Sequence, residues 1–167
     1  GHPVLCQRAT PVKSIKAPFI KKLIHDMTET MLDAKGIGLA APQVYINKQI
    51  IIFKAPEDQS DNNIKITALI NPKVSKISNE IENDWEGCLS IPGMLGLVKR
   101  YSKIEYEGFD MEGNTIKKKV EGVHSRVVQH EYDHLMGIVY PHRLADKKAF
   151  GYATEIEEYL KKNNENK

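Results

Sequence analysis

Between Phe19 and Lys35 the apolar side chains fall at Ile20, Leu23, Ile24, Met27, Met31 and Leu32. Steps of three and four place them on one stripe of an α-helix. Pro18 suits the start of that helix and Gly36 its exit. The texture then changes. Gln49 to Phe53 is β-branched and predicts a strand, and Thr67 to Ile70 predicts a second one that ends at Asn71-Pro72. Leu97 to Phe109 and Thr115 to Val120 partly alternate apolar with polar residues, with Gly113 and Asn114 between them, which predicts a hairpin in an antiparallel sheet. Helical spacing returns from Val123 to Met136, with Val123, Val127, Val128 and Leu135 apolar, and stops at Gly137. Ala145 to Lys161 predicts a C-terminal helix, weakened by Gly151. Glu57 to Asn63 is the most loop-like internal stretch, and Lys162 to Lys167 is a polar tail expected to fray. One helix, several strands and then helices is an α+β order rather than a βαβ repeat.

The 167 residues suffice for a single domain, with no internal repeat or linker to divide it. Hydrophobic residues make up 41 % and charged residues 28 %, which supports a packed core and argues against wholesale disorder. Lys and Arg number 24 against 22 Asp and Glu, so the formal charge is only +2. A dedicated nucleic-acid binder would carry a larger or clustered excess, and no direct nucleic-acid binding is expected. No stretch approaches the roughly 20 apolar residues of a spanning helix, so no membrane partner is expected. The chain as it stands shows no signal peptide, and Gly1-His2 reads equally as a native start or a cloning scar. Two cysteines, Cys6 and Cys88, make no disulfide framework and point to a reducing compartment.

The chemistry concentrates in three segments. His130-Glu131-Tyr132-Asp133-His134 is an HExxH pattern. On a helix its two imidazoles share a face and can reach one ion, while Glu131 can touch a water on that ion without being a ligand. The plain alternative is a polar run on an amphipathic helix, against which the neighbouring Val127 and Val128 bury this region. A third ligand must come from elsewhere. His142 and the Glu155 to Glu158 stretch lie downstream, and Cys88 lies upstream in Glu86-Gly87-Cys88-Leu89-Ser90. A lone Cys is as often a small buried hydrophobe as a thiolate ligand. Cys6, near an extended terminus, reads as an ordinary residue. The third segment runs Gly36-Ile37-Gly38-Leu39-Ala40-Ala41-Pro42-Gln43. It lacks the GK[ST] of a phosphate loop and follows a helix rather than a strand. Its small residues allow a peptide-like ligand to approach the backbone, and Gln43 offers an amide donor. A helix cap and tight turn would explain Gly36 alone.

Taken together, GIGLAAPQ (Gly36 to Gln43), EGCLS (Glu86 to Ser90) and HEYDHLMG (His130 to Gly137) resemble the peptide deformylase family, which carries GxGxAAxQ, EGCxS and HExDHxxG in this order. Pro11-Val12, Asn71-Pro72, Ile91-Pro92-Gly93 and Gln129 fit as well, and the resemblance runs from about Pro3 to about Leu160. It implies an α+β fold of antiparallel β-sheets around a central helix carrying HExxH, with an N-terminal and a C-terminal helix, as one catalytic domain over residues 1–167. It implies Cys88, His130 and His134 as metal ligands and Glu131 as general acid and base. Gln43 and the backbone N–H of Leu89 become the oxyanion donors. Gly38 and Ile37 lie on the strand that pairs with the substrate, and Gly87, Val123 and Val127 complete the expected substrate-binding set. The implied cofactor is one divalent ion, Fe²⁺ first, with Zn²⁺, Ni²⁺ or Co²⁺ as alternatives.

The expected reaction removes the formyl group from N-formylmethionine on newly made polypeptides and releases formate. The partner is then the N-formylated nascent peptide, met near the ribosome, and the expected location is the bacterial cytoplasm, or an organelle if a transit peptide has been removed. The alternatives are a metallo-amidase or peptidase acting on another N-acyl group, and a binding module with a structural metal. The chain departs from the family at Lys99, where Pro is frequent, and at His124-Ser125, where small or apolar residues are common.

Overall fold

The run Ile50-Ile51-Ile52-Phe53 is apolar throughout because it is covered on both faces. The computed structural model, which describes residues 1–54 and 65–165, makes it part of strand β2 (Ile50–Lys54). Ile51 and Phe53 face one core with Leu69, Ile104, Tyr106, Val127, Val128 and Leu135. Ile50 and Ile52 face another with Ile20, Leu23, Ile24, Met27 and Met31. Successive strand side chains point to opposite faces, so a helix on each side leaves no position for a polar residue.

Those helices are α1 (Pro18–Asp33) and α2 (Gly122–Leu135). They belong to one compact unit, Gly1–Glu80 with Tyr101–Val139. Its sheet has the order β1-β2-β3-β6-β7, all antiparallel, from β1 (Gly38–Ala40), β2, β3 (Ile66–Lys76), β6 (Lys103–Phe109) and β7 (Thr115–Glu121). α2 crosses this sheet and touches every strand of it. The predicted hairpin is β6–β7, with Ile104 opposite Val120. Its turn is tied by Asp110, whose carboxylate accepts from the backbone N–H of Glu112 and Asn114 and from the Asn114 amide.

Two boundaries differ from the sequence pattern in this unit. The strand predicted to end at Ile70 continues to Lys76 through a bulge between Ile70 and Lys73. Asn71 takes a left-handed backbone (φ 51°), and its amide grips both the N–H and the C=O of Val12. That local pairing carries the strand past Pro72. The run Leu97 to Phe109 is split near Ser102, whose N–H and hydroxyl both donate to Glu80.

α2 ends in a Schellman arrangement: the Gly137 N–H donates to His134 O and the Ile138 N–H to Asp133 O. Gly137 has φ 72°, and a Cβ there would lie 2.8 Å from the Cys6 carbonyl carbon, so this stop requires glycine.

The second compact unit comprises Ile81–Arg100 and the chain from Tyr140 onward. It holds a three-stranded sheet of order β4-β5-β8, from β4 (Ile81–Cys88), β5 (Ile91–Tyr101) and β8 (Phe150–Tyr152), followed by α3 (Ala153–Glu165). The C-terminal helix therefore starts eight residues later than Ala145. Phe150-Gly151-Tyr152 instead pairs with Gly96, Leu95 and Met94. Gly151 has low helix propensity, and the edge of β5 offers backbone partners that a helix would forgo. α3 continues past Lys162, and Asn166-Lys167 and the stretch Glu57 to Asn63 lie outside the described residues. Three α-helices and antiparallel sheets among the described residues make the α+β class expected from the pattern. Among the described residues no helix is long and apolar enough to cross a membrane.

Candidate active site

The apolar side of α2, through Val127, Val128 and Leu135, anchors the helix in the core. Its next face carries His130, Glu131 and His134. The i,i+4 spacing sets the two imidazoles edge to face, with ring centroids 5.1 Å apart. His134 is only 1 % exposed and Glu131 only 4 %. A charged carboxylate at that depth is costly unless it is paired or hydrogen-bonded.

The carboxylate of Glu131 lies against Gly38. A Cβ at Gly38 would sit 2.8 Å from both Cγ and Cδ of Glu131, closer than real side chains approach. Gly38 is thus the wall that admits Glu131, and it stands on β1, an end strand of its sheet. An end strand presents backbone groups to which an extended peptide can add. In the 3-10 turn Ala41–Val44 that follows, Gln43 accepts a hydrogen bond from the Ala40 N–H at 2.8 Å. A backbone N–H can only donate, so the atom facing it is Oε1 and the Nε2 donor is the opposite end of the amide.

In the other unit, Cys88 closes β4. Its Sγ accepts from the Ser90 N–H at 3.4 Å. Two residues before it, Glu86 is buried in a two-pronged pair with Arg100: Nε to Oε1 at 3.0 Å and Nη2 to Oε2 at 2.9 Å. The fork ties the end of β4 to the far end of β5. Tyr140 is buried here too, and its hydroxyl donates to Met94 O at 3.1 Å. Burial first, then the charges of Cys88 and Glu86, pushes its pKa up to about 12. Leu89 and Gly87 are exposed on either side of Cys88.

One ligand atom each of Cys88, His130 and His134 lies within 4.8 Å of the others, a group that could hold a metal ion. A thiol and two imidazoles form a donor set suited to Fe²⁺ or Zn²⁺, and three protein ligands leave a position for water or substrate. Among the described residues, this donor set therefore fits an ion with an open position rather than a closed structural one.

The remaining predicted residues are distributed as follows. Ile37 and Val123 are 55 % and 58 % exposed, whereas Val127 is only 6 % exposed, within the core. Lys99 points outward on β5 between inward-facing Val98 and Arg100. His124 is buried against Phe53 and Tyr106, with Nε2 3.4 Å from the tyrosine oxygen. Ser125 is buried and donates to Tyr101 O at 2.9 Å. The Glu86–Arg100 pair was not singled out as a pair by the sequence pattern. The inward alternation of Val98 and Arg100 was its available signal.

A buried glutamate between two metal-competent histidines, on a helix packed across an antiparallel sheet, points to the metallohydrolase class. The family model for polypeptide deformylase matches residues 1–150. The chain is 46 % identical over 159 residues to peptide deformylase 1 of Nitrosomonas europaea, covering 93 % of this chain and 90 % of that protein. It is likewise 46 % identical over 162 residues to peptide deformylase 1 of Bordetella pertussis, with the same shares covered. Among solved structures, the Synechococcus elongatus peptide deformylase in complex with actinonin superposes with TM-score 0.81 at 36 % identity, covering 98 % of this chain and 84 % of that one. A Met-Ala-Ser-bound class I type b peptide deformylase from Acinetobacter baumannii gives TM-score 0.77 at 33 % identity, covering 86 % and 94 %. The chain belongs to the polypeptide deformylase family.

Proposed function

We propose that this chain removes the formyl group from the N-terminal formylmethionine of newly made polypeptides, releasing formate, with Cys88, His130 and His134 as the ligands of one divalent ion. The observation that carries the reading is the joint placement of those three donors with a buried Glu131 between the histidines. Fe²⁺ is the first candidate ion, followed by Zn²⁺, Ni²⁺ and Co²⁺. When bound, such an ion would supply Lewis-acid chemistry, helping water lose a proton near neutral pH and drawing off charge from the reacting carbonyl.

The protein's own groups do the rest. Glu131 accepts the proton of the attacking water and returns it to the leaving amine. The Gln43 Nε2 and the Leu89 N–H donate to the oxygen on which negative charge grows, each worth about 10²–10³ in rate. The substrate backbone adds to the outer side of β1 at Gly38 and the preceding Ile37. Gly87, Val123 and Val127 are the remaining candidates around the methionine side chain, Val127 from within the core. The 1–150 match spans both compact units, which supports one catalytic domain over 1–167. A site near the ribosome in a bacterial cytoplasm follows from a nascent-chain substrate, with an organelle as the alternative.

A turnover panel of formyl-Met, acetyl-Met and unblocked Met peptides tests the reading. Formate from the formyl peptide alone is expected. Comparable cleavage of the acetyl peptide would make the protein a broader metallo-amidase, and release of methionine from the unblocked one a peptidase.

A further inference from the structure

Gln129 immediately precedes the ligand His130 on α2, and both ends of its carboxamide reach the backbone of Tyr101, with further Nε2 contacts to the Ser125 carbonyl and hydroxyl. Oε1 accepts from the Tyr101 N–H at 3.1 Å, and Nε2 donates to the Tyr101 C=O at 2.8 Å. One turn earlier, Ser125 Oγ donates to the same carbonyl at 2.9 Å, and Gln129 Nε2 lies 3.0 Å from that Oγ. Ser125 and Gln129 are four residues apart and share a helix face, as do His130 and His134. Tyr101 ends β5, and the neighbouring Ser102 is itself held by Glu80 and accepts from the Gly122 N–H. The target of the clamp is therefore backbone that is fixed on both sides.

Apolar packing through Val127, Val128 and Leu135 holds α2 on the sheet, but such contacts are non-directional. They tolerate small rotations that a metal site does not. A rotation of about 10° carries an imidazole nitrogen, some 6 Å from the helix axis, through roughly 1 Å. Metal–ligand distances tolerate only about 0.2 Å. Two hydrogen bonds, one to the N–H and one to the C=O of Tyr101, restrain both rotation and translation, because either motion lengthens at least one of them.

We propose that Gln129, supported by Ser125, is the positioning residue that sets the rotation of α2 and so aims His130, Glu131 and His134. The proposal rests on the assignment of those three residues above. Gln129 touches neither ion nor substrate and acts through the helix.

The test compares the metal-loaded protein with Gln129→Met, a near-isostere without hydrogen bonds, and with the milder Ser125→Ala. Ile24→Ala, in the other core, serves as a variant that loses stability without touching α2. Each is loaded with Co²⁺ and examined well below its unfolding temperature for kcat, KM and the visible ligand-field spectrum. In Gln129→Met, kcat is expected to fall about 10- to 100-fold with KM nearly unchanged, the range found for residues that orient metal ligands. The Co²⁺ bands should shift, Ser125→Ala should show a smaller change in the same direction, and Ile24→Ala should show neither. An unchanged kcat and spectrum in folded Gln129→Met would overturn the proposal. So would losses in all three variants that simply follow their melting temperatures. Should Gln129→Met fail to fold, an unaltered spectrum in Ser125→Ala overturns it equally. A Cys88→Ser variant with an unaltered Co²⁺ spectrum would instead refute the ligand assignment, a separate failure.

Discussion

Glu131 concentrates the chemistry of single residues. Its carboxylate lies between two imidazoles in sequence and against Gly38 in space, at a depth where an idle charge would be selected against by desolvation alone. Glu131→Gln keeps the shape and removes the proton carrier. Metal content is expected to stay at the native level while kcat drops by about 10²–10⁴, the usual worth of a positioned acid–base group. Near-native turnover in the metal-loaded variant would place the base elsewhere. Tyr140 gives a second, pH-dependent expectation. Its folded pKa, about 12, lies above the ordinary value of 10, so the native state favours the neutral phenol. That contribution is complete below pH 10 and is lost as pH rises through about 12. Tyr140→Phe loses the hydrogen bond to Met94 O, costing about 0.5–1.5 kcal/mol at neutral pH. Its stability should then decline less than the parent's between pH 10 and pH 12, as followed by urea unfolding at each pH. Parallel declines would contradict the assignment.

At the scale of elements, the β4–β5 hairpin carries Cys88 at the end of its first strand, and the buried Glu86–Arg100 fork ties its two strands. Glu86→Ala removes the carboxylate from a buried guanidinium and is expected to cost about 3–5 kcal/mol in denaturant unfolding. Replacing both residues together with Leu and Met should recover most of that loss, because an apolar pair needs no charge compensation. A double variant no more stable than the single one would show that the pair holds more than its own charges. These same elements separate what periodicity reveals from what it hides. α1 and α2 each bury one stripe, so their spacing betrayed them, and β2 showed itself because both its faces are covered. β4 is mostly exposed and carries Glu82, Asp84 and Glu86, which leaves no apolar period to read. β8 is three residues long and exists through its pairing with β5, a tertiary fact. The bulge at Asn71 depends on a side chain reaching back to Val12 across 59 positions, which no local window contains.

For the molecule as a whole, the three chemical segments were visible in the chain, but their relation was not. HExxH states a metal on its own terms; Cys88 without the family resemblance is an ordinary small residue. The clamp at Gln129 was invisible because its partner is the backbone of Tyr101, which has no signature in sequence. Two compact units contribute to the described chain, one with the HExxH helix and one with the cysteine hairpin, and the family match runs through both. The proposed function requires that one divalent ion on Cys88, His130 and His134 support deformylation. It is tested most directly by purifying the protein without oxygen, counting bound metal, and following formate release from a formyl-Met peptide before chelation, after chelation and after Fe²⁺ is restored. One ion per chain, loss of formate release in the chelated protein and its return with Fe²⁺ are expected. Undiminished formate release from protein shown to be metal-free would contradict it.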